Sequence, residues 1–117
     1  MGHPRKISKD KIQRLYNIEK KYGIDEMNLY AYMPTENEVI VNGEIFGDNL
    51  KNSFLIMCSV YDKDGDIIAS DENDSYGNGL VTSNIKPESF KGIFPFRISV
   101  DVPNGHKVGK IRVFPRA

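Results

Sequence analysis

The stretch Ile93-Phe94-Pro95-Phe96-Arg97-Ile98-Ser99-Val100-Asp101 decides the fold class. Phe94, Phe96, Ile98 and Val100 recur at every second position, with Pro95, Arg97, Ser99 and Asp101 between them. Side chains of an extended chain point alternately to its two sides, so this pattern predicts a strand with one face in a core and the other in water. Pro95 has no amide proton, which assigns that end of the strand to a sheet edge or a bulge.

The stretch 53 to 61 reads differently. Phe54, Ile56, Cys58 and Val60 line one face, and Leu55, Met57 and Tyr61 line the other, so both faces call for cover. In a two-layer sandwich the opposite sheet covers one face; a helix or a second subunit is needed over Leu55 and Met57. Asp62-Lys63-Asp64-Gly65 then supplies the turn chemistry of a tight hairpin leading into 66 to 70. Further strands are expected at 28 to 33, where Leu29, Ala31 and Met33 alternate with Tyr30 and Tyr32, at 37 to 46, and at 107 to 114. Asn42-Gly43 reads as a bulge inside a long strand, and 71 to 79 as an exposed polar loop. Together these features predict a mainly β domain over 28–117, an antiparallel Greek-key sandwich of about seven strands in the immunoglobulin or fibronectin style.

Ahead of it the period changes. Ser8 is placed to cap a helix, and Ile12, Leu15, Tyr16, Ile18 and Tyr22 share one broad helical face. Gly23 sits where a left-handed cap is wanted, with Ile24 able to fold back on the last turn. One amphipathic helix over 8–24 is expected, preceded by a disordered or vector-derived segment 1–7. Its expected role is to pack on the sandwich, the alternative being contact with a partner or a membrane surface.

With 117 residues, 39% hydrophobic and 27% charged, the chain is expected to form one globular domain that needs neither metal nor disulfides to complete its core. Cys58 is the only cysteine, which excludes an intramolecular disulfide. No run of about 18 apolar residues is present to span a membrane, and the first residues lack the apolar core of a secretion signal. Lys and Arg balance Asp and Glu at 16 each, but residues 1 to 21 and 101 to 117 are basic and the middle is acidic. The basic residues are scattered, so nucleic-acid binding is not expected.

Candidate chemistry is sparse. Asp62, Asp64 and Asp66 suggest calcium, yet an EF-hand loop begun at Asp62 meets Ile67 where glycine is required and Asn73 where a bidentate acid is required. The turn reading is preferred, with a low-affinity cation site including Asp71, Glu72 or Asp74 as the alternative. Cys58 alternates in register with Phe54, Ile56 and Val60, so it reads as a core residue and not a nucleophile. His106 falls in a turn. No nucleophile elbow, phosphate loop or zinc-protease helix occurs, so neither enzymatic activity nor a cofactor is expected. Tyr30 and Tyr32 on one face, with Tyr76 in the polar loop, form a candidate platform for sugar or peptide, although the absence of tryptophan counts against sugar. The candidate interaction residues are therefore Tyr30, Tyr32, Leu55, Met57 and Tyr76.

At Val60-Tyr61-Asp62-Lys63-Asp64-Gly65, followed by Asp66-Ile67-Ile68-Ala69, the chain resembles the bacterial FxLYD domains and related fibronectin type III-like sandwiches. Ile85-Lys86-Pro87-Glu88-Ser89-Phe90, leading into Phe94 to Val100, is similar to their proline-containing connection. The likeness spans roughly 37 to 115, with Cys58 at the Phe position and Val60 at the Leu position. It implies a small accessory module, without catalytic residues, of bacterial envelope or secreted proteins. The expected function is a non-catalytic module of a larger bacterial protein that touches a protein partner by a sheet edge, near Pro95 or at the C-terminal strand, or by end loops. Alternatives are a carbohydrate or low-affinity calcium module, or a structural domain that forms a homodimer through Leu55 and Met57.

Overall fold

The computed structural model describes residues 5–47, 54–72 and 92–116. Among them, eight strands make two four-stranded sheets. The first sheet holds β1 (Arg5–Ile7), β3 (Glu26–Thr35), β4 (Glu38–Phe46) and β7 (Ile93–Asp101), side by side in that order. The second holds β2 (Ile12–Arg14), β8 (Lys110–Arg116), β5 (Leu55–Tyr61) and β6 (Ile67–Glu72), again in that order. One core lies between them, drawn from alternate residues of each long strand: Met27 and Ala31, Val39 and Val41, Ile56 and Val60, Ile98 and Val100, Ile111 and Val113. Every pairing is antiparallel except β2 with β8. β8 returns to lie beside β5 after β7, which belongs to the opposite sheet.

The alternation in β7 is realised as read: Phe96, Ile98 and Val100 are buried and Pro95 faces out. Among the described residues β7 ends its sheet. The C-terminal strand β8 is no edge; β2 pairs with it over Ile111–Val113. The hairpin is formed too, and Asp62 builds its turn. One carboxylate oxygen of Asp62 accepts the amide protons of both Asp64 and Asp66 at 2.9 Å, and Gly65 adopts a positive φ of 88°.

Asn42-Gly43 is not a bulge. The β4–β7 register runs unbroken through it, with Gly43 opposite Phe96. Glycine is there because the Phe96 ring lies in the space a side chain would take: a Cβ on residue 43 would lie 2.3 Å from Phe96 Cζ. Asp71 and Glu72 belong to β6, and the rest of the expected polar loop falls outside the described residues.

The N-terminal expectation is corrected most. The single helix over 8–24 is replaced by a 3-10 turn at Lys9–Lys11, the strand β2, and a short helix α1 (Tyr16–Lys21). Part of the segment expected to be disordered, Arg5–Ile7, is strand β1. Among the described residues the sandwich therefore takes in Arg5–Ile7 and Ile12–Arg14 ahead of 28, and has eight strands where about seven were expected. The reason is competition for backbone partners. A helix over 8–24 would owe most of its stability to packing and not to itself, whereas β3 and β8 each present an open ladder, and Ile7 and Ile12 can both reach the core. Alternation at Ile12 and Arg14 satisfies the strand as well as the helix, so tertiary pairing settles it.

The C-terminal end of the helix is as read. Ile24 donates its amide to Glu19 O and Gly23 to Lys20 O, the two bonds of a Schellman ending, with Gly23 at φ 81° and Ile24 buried.

Candidate functional site

The sequence candidates separate onto opposite outer faces. On the second sheet, Leu55 pairs with Arg116, Met57 with Phe114, Ser59 with Arg112 and Tyr61 with Lys110. Directly opposed residues of antiparallel strands share a face. One side of this surface is therefore an apolar patch of Leu55, Met57 and Phe114, each half-buried. The other side is cationic: Lys110 Nζ and Arg112 Cζ stand 5.4 and 5.1 Å from the centre of the Tyr61 ring. Arg112 also donates to Gln13 Oε1 at 3.0 Å, and the hydroxyls of Ser59 and Ser70 meet at 3.1 Å. Helix α1 packs mainly on β8, so the lid that Leu55 and Met57 call for is not a long helix laid along β5. Phe114, Arg112 and Arg116 escaped the sequence reading because only strand register brings them beside residues 55 to 61.

On the first sheet Tyr30 and Tyr32 point outward, their ring centres 5.6 Å apart and tilted by 37°. Lys6 Nζ stands 5.7 Å from the Tyr30 ring. Across the strands Tyr30 faces Asn42, which faces Arg97; in the adjacent row Asn28 faces Glu44, which faces Pro95. These residues line a surface groove of about 450 Å³. The polar members were legible as the outward positions of each alternating strand, but not as neighbours. Tyr76, the third aromatic candidate, lies outside the described residues.

A second groove, about 670 Å³, opens at one end of the sandwich between β1, the 3-10 turn and the β5–β6 turn. Ile7, Met33 and Val108 lie among its lining, with Lys11, Lys63 and Asp64. Its wall depends on Gly109, whose amide donates to Tyr61 O at 2.7 Å and whose Cβ, if present, would lie 2.5 Å from Asp62 O. Asp10 lines this groove, its carboxyl held below the usual range by a hydrogen bond from the Ser8 side chain.

Three side chains near β2 form a closed electrostatic unit. Arg14 grips the buried carboxylate of Glu19 at 2.6 and 3.0 Å and reaches exposed Glu26 at 2.9 Å. Two carboxylates around one guanidinium hold Arg14 charged far above its ordinary range. Its plane also lies over Tyr16, 4.6 Å from the ring centre.

Cys58 is fully buried, while His106 is exposed in the β7–β8 connection. Among the described residues no group of three or more His, Cys, Asp or Glu side chains is placed to hold a metal ion, and no helix is long and apolar enough to cross a membrane. Comparison of the chain with family models, curated proteins and solved structures finds no match.

Proposed function

We propose that this chain is a non-catalytic accessory module of a larger bacterial protein, and that it holds a protein partner on the outer face of β5 and β8. The observation that carries the reading is the junction of an apolar patch, Leu55, Met57 and Phe114, with the cations Lys110, Arg112 and Arg116 on one sheet surface. Such a face suits a partner that offers apolar anchors bordered by carboxylates: the centre is desolvated and the charged border sets orientation. The Tyr61-Asp62 ending of β5 and its glycine turn support the likeness to FxLYD and fibronectin type III-like accessory modules, which also underlies the envelope or secreted location we assign.

The test is a photo-crosslinking amino acid placed at Met57 in the full-length parent protein in cells, with a second at Glu44 on the opposite face. A discrete adduct with one other protein at position 57, absent at 44, is the expected result. Adducts between two copies of the chain at position 57 would replace the reading by a homodimer, and none at either position would remove it.

A further inference from the structure

The groove on the opposite sheet has its own chemistry, independent of the partner face. Tyr30 keeps 49% of its surface exposed although it sits in the middle of β3. Around it Asn28, Asn42, Glu44 and Arg97 are brought together from three strands by register alone. Among the described residues none of these four polar side chains makes a hydrogen bond or an ion pair. Elsewhere on the sandwich, outward polar side chains of the same kinds are engaged: Ser99 with Glu38, Arg112 with Gln13, Asn37 with Asn104, Ser59 with Ser70.

We infer that this groove is a saccharide-binding site, which takes a pyranose ring on Tyr30 and its hydroxyls on Asn28, Asn42, Glu44 and Arg97. An exposed phenol ring presents a flat apolar surface to the C–H face of a sugar. Amides donate and accept, the carboxylate accepts in pairs and the guanidinium donates in pairs, so the set matches vicinal hydroxyls, which do both. Within each row the residues stand one strand spacing apart, about 4.8 Å, and the two rows lie two residues apart along the strands, about 6.7 Å, a patch comparable in size with a sugar ring and its hydroxyls. Lys9 in the groove wall and Lys6 beside Tyr30 join Arg97 against the lone carboxylate of Glu44, and this surplus of positive charge favours a saccharide built of uronate units.

The experiment is an amide chemical-shift titration of the whole chain with hexagalacturonate, maltohexaose and polyglutamate. The inference expects saturable shifts with hexagalacturonate confined to 28 to 30, 42 to 44 and 95 to 97. It expects Tyr30→Ala, an outward substitution that leaves the remaining spectrum intact, to weaken binding roughly tenfold, and Ile67→Ser, at an exposed position of the second sheet, to leave it unchanged. Tighter binding of maltohexaose at the same amides would overturn the uronate preference. Equal shifts with polyglutamate would reduce the site to a patch for any polyanion. No saturable shift with either saccharide, or shifts untouched by Tyr30→Ala, would overturn the inference.

Discussion

Arg14 and Glu19 lock together through two parallel hydrogen bonds, Nη2 to Oε1 at 2.6 Å and Nε to Oε2 at 3.0 Å, and so tie the short parallel strand β2 to helix α1. Glu19 is only 3% exposed, and its backbone carbonyl also anchors the Schellman ending through Ile24. The pair therefore turns a three-residue edge strand and a six-residue helix, each too short to persist alone, into one unit.

Removing the guanidinium strands a buried carboxylate. Arg14→Leu should destabilise the fold by about 3 kcal/mol, read as a lower urea midpoint at unchanged slope. The double variant Arg14→Leu/Glu19→Leu should recover most of that loss, because no charge is then left buried without its partner. If the double variant is no better than the single one, the pair acts through geometry and not through charge compensation.

Glu26 links stability to pH. Its carboxyl is held below the usual range first by the Met27 amide and then by Arg14. A carboxyl with a depressed folded pKa contributes stability above its unfolded value and loses it as pH falls through the folded one. The midpoint difference between the natural chain and Glu26→Gln should therefore be largest near neutrality and shrink on acidification. A difference that stays constant with pH would detach this carboxylate from the fold.

Gly43→Ala should cost about 2 kcal/mol, since the added methyl must displace the Phe96 ring from a filled core. In a Phe96→Leu background the same change should cost less, and a double-mutant cycle would read the difference as coupling. Equal costs in both backgrounds would mean that the glycine answers to the backbone of β4.

Cys58 should be unreactive toward an aromatic disulfide reagent in the native state, as the side chain is fully buried. Labelling should follow the opening of the sandwich, so its rate should rise with urea in step with unfolding. Fast labelling without denaturant would place β5 in a locally open segment.

Several features were legible in the residues because they depend on near neighbours. The alternation at Phe94, Phe96, Ile98 and Val100, the Asp62 turn, the Gly23–Ile24 ending and the inward register of Cys58 each require only a few consecutive positions. The helix over 8–24 failed for the complementary reason. Ile12 and Arg14 suit either period, and only the open edge of β8 gives the strand its advantage. The role of Gly43 was likewise hidden, since Phe96 is more than fifty positions away.

The candidate surfaces divide in the same way. Local pattern marked Tyr30, Tyr32, Leu55 and Met57 as outward residues of β strands, and that much the amino-acid sequence determined by itself. Strand register decided the rest: it placed the tyrosines and the Leu55–Met57 patch on opposite sides, gave Phe114 and three cations to one and Asn42, Glu44 and Arg97 to the other. Periodicity reports which face of a strand is buried, but which strands lie side by side depends on how two sheets fill a shared core, and no local stretch of the chain carries that information.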